Sequence, residues 1–144
     1  MSDEEIYRGL LFVCKYALIV GAKSLTICWH GGEPLLFAKR LPVIIEYANR
    51  LFADKGIKVS HGTQTNAILL KSDTYPLIQK YFDGFVGVSV DLFSGYRTFP
   101  SGKMSTEIVV KNINDALAAG IRCGAINLIT KDNLHRIHDI YDFY

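Results

Sequence analysis

The chain has 144 residues, enough for one modest domain and too few for two. Apolar residues make up 49% and charged residues of both signs 21%, a globular balance that excludes intrinsic disorder. The net charge of +2 argues neither for nor against nucleic acid; with no Lys/Arg block and no basic stripe interleaved with aromatics, no nucleic-acid partner is expected.

No apolar run reaches the roughly 18 residues a spanning helix needs, since the longest, Leu10 to Val20, is interrupted by Lys15. Ser2-Asp3-Glu4-Glu5 is acidic where a secretory signal is basic. No membrane partner and a cytoplasmic location are therefore expected. Cys14, Cys28 and Cys123 are odd in number, far apart and set in apolar stretches. No pair has CxxC or other metal-ligand spacing, so the expectation is three reduced core thiols.

In chain order, Ser2 with Glu5 forms a capping box. Ile6, Leu10, Val13, Ala17 and Val20 follow at helical spacing up to Gly21. Ser24 to Trp29 reads as a buried strand, broken by His30-Gly31-Gly32-Glu33-Pro34. A helix is predicted over 38–55, with Leu41, Ile44, Ile45, Ala48, Leu51 and Phe52 as its stripe. Ile57 to Thr63 is a second strand, running into Gln64-Thr65-Asn66. Ser72-Asp73 can cap a third helix to Tyr81, and Phe85 to Val90 is a third strand. After a loop from Asp91 to Met104, Ser105-Thr106 starts a fourth helix that ends at Gly120. Ile121 to Ile129 is a fourth strand, and Asp132 or Asn133 caps a last helix.

This alternation, with strand starts about every 30 residues, predicts an α/β fold with a parallel sheet of about four βα units. The apolar strand runs suggest sheets covered on both faces. An open doubly wound sheet and a piece of a (β/α) barrel both satisfy the pattern. In either, ligands bind at the C-terminal ends of the strands.

Those ends carry His30-Gly31-Gly32-Glu33-Pro34, Gln64-Thr65-Asn66, Ser89-Val90-Asp91 and Thr130-Lys131-Asp132-Asn133. Gly31-Gly32 lets the backbone approach a ligand closely, although an ordinary βα turn needs glycine too. Glu33 can accept from an ammonium group or cap its own loop. Arg97 can grip a carboxylate with paired hydrogen bonds, or stand as a solvated loop charge. His30, His61, His135 and His138 have no partners at ligand spacing and read as structural or exposed.

At Trp29-His30-Gly31-Gly32-Glu33-Pro34-Leu35-Leu36 the sequence resembles the radical S-adenosylmethionine (SAM) enzymes. More narrowly, it looks like the group that includes anaerobic sulfatase-maturating enzymes and peptide maturases with SPASM-type C-terminal domains. Gln64-Thr65-Asn66-Ala67-Ile68-Leu69-Leu70 is similar to the family's QTNGTLL segment, with Ala67 where glycine is usual. Val88-Ser89-Val90-Asp91 resembles its VSLDG strand end, and Arg97 followed by Gly102 its arginine-then-glycine loop. The loop lacks the sulfatase maturases' G…HD pattern and is nearer a DVFG…R variant.

The resemblance implies a partial (β/α) barrel of six units, of which residues 1–144 are the part from about the second to the fifth. It implies that Gly31, Gly32, Glu33 and Pro34 bind the amino end of SAM. Ser89 and Arg97 then hold its carboxylate or ribose, and Gln64 and Asn66 line the same cavity. It implies a 4Fe–4S cluster that cleaves SAM to a 5′-deoxyadenosyl radical, which abstracts hydrogen from a peptide or protein substrate. The family's cluster motif, CxxxCxxC, is not in this sequence. Met1 is expected to fall just after the strand and loop that carry it, leaving the chain inactive as given and prone to self-association through barrel edges and an apolar inner face.

Two other readings compete. One is a cluster-free protein of the same fold that holds SAM or a peptide without redox chemistry. The other is a generic phosphate- or nucleotide-binding α/β domain, which ranks lower because the chain has neither a P-loop nor GxGxxG.

Overall fold

The structure, a computed structural model, describes residues 2–93, 98, 101–102 and 104–143. Among the described residues five α-helices and four strands alternate: α1 (Asp3–Ile19), β1 (Ser24–Trp29), α2 (Leu41–Ala53), β2 (Lys58–Thr65), α3 (Tyr75–Tyr81), β3 (Phe85–Ser89), α4 (Thr106–Ala118), β4 (Arg122–Ile126) and α5 (Ile137–Phe143). The capping box forms as expected, with Ser2 and Glu5 each bonding the other's backbone N–H. The β1–α2 connection contains a 3-10 helix, Pro34–Phe37, so α2 starts at Leu41 rather than at residue 38. Thr74, not Ser72 or Asp73, stands at the N-cap of α3, with Pro76 in its first turn.

The sheet order is β1-β2-β3-β4, with every pair parallel. This order decides between the two architectures. A doubly wound sheet reverses its strand order at a switch point, whereas here each strand is added on the same side of the last. Right-handed crossovers then put all the helices on one face, as in a barrel wall.

The core lies between that wall and the helices. Leu10, Cys14 and Ala17 of α1 pack with Ile44, Ala48 and Phe52 of α2 and with Ile57. The larger cluster joins Ile45, Leu70, Ile78, Val86, Val88, Val109, Ile113 and Ile121. Phe52 is fully buried, and its burial alone contributes about 2–3 kcal/mol.

The other face of the sheet departs from expectation: it is largely polar and glycine-rich, with Phe85 and Ile126 as exposed apolar residues on it. The register places Ser24, Thr26 and Cys28 beside Lys58, Ser60 and Gly62, then Gln64 beside Gly87, and Gly87 beside Gly124. Thr26 and Ser60 join their hydroxyls at 2.7 Å. One helix layer covers one face only, so the open face carries groups that tolerate water. Cys28 is on this face and is exposed, which corrects the expectation of three core thiols; Cys14 is buried and Cys123 half-buried. Among the described residues β1 and β4 each have a strand on one side only. No helix among the described residues is long and apolar enough to cross a membrane.

Candidate functional site

The strand ends meet at one rim of the open face. Trp29 pairs with Thr63, Gln64 with Gly87, and Ser89 with Ile126, so His30–Pro34, Gln64–Asn66 and Ser89 stand side by side. At Gly31 φ is 132°, a region that L side chains rarely adopt, so this turn requires glycine. Nothing lies within 4 Å of where a Cβ would sit on Gly31, Gly32 or Gly62. The backbone there is bare and faces open space. His30 turns back onto its own loop, its Nδ1 accepting the Gly31 N–H at 2.7 Å, which is the structural role expected of it.

Glu33 builds the rim. Its carboxylate accepts from the Leu35 N–H at 3.0 Å, the Thr65 hydroxyl at 2.6 Å and the Asn66 N–H at 2.9 Å. Three of the roughly four lone-pair directions of a carboxylate are thereby used within the protein. Of the two roles open to Glu33, capping its loop is the one seen, and the cap reaches across to β2. Pro34 is buried at the start of the 3-10 helix.

Asn66 folds its side chain inward, Oδ1 accepting the Ile68 N–H at 3.0 Å. The next residue, Ala67, has φ of 61°. That left-handed conformation is the physical reason a glycine suits the position. Gln64 lies across β3 and its Nε2 donates to Ser89 Oγ at 3.1 Å. Arg97, the remaining sequence-predicted site residue, lies outside the described residues.

Two buried amides hold the rim in place, the first at a position sequence reasoning did not single out. Buried Asn112 of α4 donates to the Ala67 and Ile68 carbonyls at 2.9 and 3.0 Å. Its signal was a polar residue within the apolar stripe of Val109, Ile113 and Ala116. Asn133 was expected to cap the last helix. It stands at the N-cap of a second 3-10 helix, Leu134–Arg136, without a capping bond. Instead, fully buried, it donates to the Leu92 and Leu128 carbonyls at 3.1 and 2.9 Å and accepts the Thr130 N–H at 2.7 Å. The demand for partners at a buried amide outweighs local capping.

The model of the radical SAM superfamily matches residues 15–144. The chain belongs to the radical SAM superfamily. In sequence it is 28% identical over 123 residues to an uncharacterised protein of Methanocaldococcus jannaschii, covering 83% of this chain and 42% of that protein. It is 25% identical over 129 residues to an uncharacterised protein of Synechocystis, covering 84% of this chain and 32% of that one. The chain therefore spans less than half the length of these relatives.

Among solved structures it is similar to the anaerobic sulfatase-maturating enzyme anSMEcpe with bound AdoMet, which is SAM. In that form the TM-score is 0.80 at 18% identity, over 99% of this chain and 39% of the other. The form with AdoMet and a peptide also gives a TM-score of 0.80, at 17% identity and the same coverage. At such identity the likeness shows a shared fold.

The radical SAM family implies two groups, and the described residues fit them unequally. The rim suits SAM, a zwitterionic amino acid joined to a nucleoside. The backbone at Gly31-Gly32 is bare and the Ser89 hydroxyl accepts from Gln64, group types that such a molecule uses. A 4Fe–4S cluster is not fitted. It needs close thiolates, whereas Cys14, Cys28 and Cys123 lie on α1, β1 and β4, and no metal-holding group of His, Cys, Asp and Glu occurs among the described residues.

Proposed function

We propose that this chain is the SAM-holding part, about the second to fifth barrel units, of a radical SAM enzyme acting on a peptide or protein. With SAM bound, one electron from a reductant that these residues do not supply would cleave its C5′–S bond to methionine and a 5′-deoxyadenosyl radical for hydrogen abstraction from the substrate; the part of these residues is positioning and exclusion of side reactions. In this reading the backbone of Gly31-Gly32, held by Glu33 and Pro34, receives the amino end of SAM. Ser89 and Arg97 hold its carboxylate or ribose, and Gln64 and Asn66 line the cavity. One observation carries the reading: glycine-bared backbone and the Gln64–Ser89 pair meet at the C-terminal rim of a parallel wall. The cytoplasmic location and self-association through the β1 and β4 edges belong to the same reading.

The test is calorimetric titration of the chain with SAM. Binding is expected in the wild type and weakened in Arg97→Ala; no binding, or unchanged affinity in the variant, sinks the assignment. The scatter of the three thiols favours a second reading, a cluster-free protein that binds SAM or a peptide without redox chemistry. Coding sequence upstream of Met1 separates the two. An in-frame CxxxCxxC within some tens of residues supports the enzyme, and a start codon with no such motif supports the binding protein.

A further inference from the structure

A cavity of about 320 Å³ lies on the helix side of the wall, between the loop that leads into α3 and helix α4. That volume is at the small end for ligand pockets and suits a molecule of a few heavy atoms. The Gly31-Gly32 turn, Gln64 and Ser89 take no part in its lining. Its polar groups are Lys71, Ser72 and Tyr75 on one side and Lys111, Asn112 and Asp115 of α4 on the other. Asn112 is the buried member, 5% exposed. Its Nδ2 donates to two carbonyls, those of Ala67 and Ile68, which fixes the amide orientation and turns Oδ1 the other way. Oδ1 has no partner among the described residues. No side-chain oxygen among them is both sealed from solvent and unpartnered, so Oδ1 opens onto the cavity that Asn112 lines.

A nearly buried acceptor that lacks a donor is a group a ligand can satisfy. The other groups supply donors. Lys111 is engaged with Asp115 at 2.5 Å, but Lys71 Nζ and the Ser72 and Tyr75 hydroxyls have no partner among the described residues. Burial and the nearby Asp115 charge push the Tyr75 phenol above its ordinary 10.0, so it stays protonated and able to donate. Two ammonium groups, Lys71 and Lys111, against the one carboxylate of Asp115 leave the lining a net charge of +1. We infer that this cavity is a binding site for a small hydroxy-carboxylate, whose carboxylate meets Lys71 and the Ser72 and Tyr75 hydroxyls and whose own hydroxyl donates to Asn112 Oδ1. The net charge decides the class. A monoanion balances the lining, whereas a zwitterionic amino acid brings no net charge and a neutral polyol leaves Lys71 unpaired.

Glycerate is the probe, titrated into the isotope-labelled chain and followed by NMR. Three relatives vary its groups: glycerol lacks the carboxylate, serine has an ammonium in place of one hydroxyl, and propionate has no hydroxyl. Glycerate is expected to bind with a Kd of about 1 mM and each relative about tenfold more weakly. The Asn112 side-chain amide signals should move, together with the Ile68 and Leu69 backbone amides, whose peptide carbonyls Asn112 holds. Lys71 is exposed, so Lys71→Met removes the charge without disturbing the core; glycerate should weaken about fivefold and glycerol should not change. No glycerate binding at about ten times the expected Kd overturns the inference, and so does binding that leaves the Asn112 amide signals in place. Serine, glycerol or propionate matching glycerate in the wild type overturns the ligand class and the inference with it. Unchanged glycerate affinity in Lys71→Met overturns it too. Because the cavity and the rim share no lining residue, SAM titration of the same samples reads the SAM-holding role separately.

Discussion

The Thr65 hydroxyl donates to the Glu33 carboxylate at 2.6 Å, tying the loop after the first strand to the end of the second. The same carboxylate takes two backbone N–H groups, from Leu35 and Asn66, so one side chain sets the relative position of two rim segments. Hydrogen bonds to a charged group contribute about 1.5–3 kcal/mol in favourable settings. Glu33→Ala is expected to lower the unfolding free energy by about 2 kcal/mol, and Thr65→Val by about 1 kcal/mol. The double variant should lose less than the sum, because the two share a bond. Urea unfolding followed by circular dichroism measures all three, and strict additivity would count against the clamp.

His61 of β2 bonds β1 through one ring nitrogen and α2 through the other. Nδ1 accepts the Trp29 indole N–H at 3.1 Å, and Nε2 lies 2.9 Å from Asn49 Oδ1. The amide oxygen only accepts, so Nε2 carries the proton and the ring is neutral. Burial lowers the imidazole pKa below its ordinary value of 6.5, and protonation would set an N–H against the indole donor. As pH falls, the unfolded chain takes this proton first. The contribution of His61 to stability is therefore complete above about 6.5 and lost as pH falls through the folded value. Urea midpoints of the wild type should decline below pH 6.5, with a smaller decline in His61→Gln. The lowered carboxyls of Glu5 and Glu46 act in a separate window, below their ordinary 4.5.

Asn133 joins the segment after β3 to the segment after β4 while fully buried. Asn133→Ala leaves the Leu92 and Leu128 carbonyls and the Thr130 N–H without this partner. Stranding buried polar groups costs about 1–3 kcal/mol each where no water replaces the partner, so a loss of about 3 kcal/mol is expected. Asn133→Asp keeps the acceptor but buries a charge, and should be at least as damaging. Thermal unfolding of both variants checks the ordering; a variant as stable as the wild type would contradict it.

The three thiols should separate by alkylation rate in the folded chain. Cys28 is exposed on the open face and should react first. Cys123 is half-buried and burial raises its pKa, so less thiolate is present and it should follow slowly. Cys14 is buried in the α1–α2 core and should react only on unfolding. Mass spectrometry of timed iodoacetamide reactions reads the order, and early labelling of Cys14 would refute the packing of α1.

Much of the wall was legible because its signals are local. Strand β1 has the bounds the apolar run indicates, and α1 begins at its capping box. The 3-10 helix at Pro34–Phe37 was not legible, since its cap is Glu33 and Glu33 is oriented by Thr65 and Asn66, more than 30 residues away in sequence. The fourth strand runs only Arg122–Ile126, shorter than its apolar stretch suggests. Beyond Ile126 the chain joins the loop network instead, where Leu128 donates to Asp91 and accepts from Asn133.

By itself, the sequence determined the order of elements and the residues that stand at strand ends, because hydrophobic period and turn chemistry act between near neighbours. It also settled that the three cysteines are too far apart for a CxxxCxxC motif. Tertiary structure alone decided the strand order, the polar character of the open face and the pairing of Gln64 with Ser89 over Gly87. The physical reason is register: which side chains share a face, and which glycine leaves room for which neighbour, exists only once separate strands are set side by side.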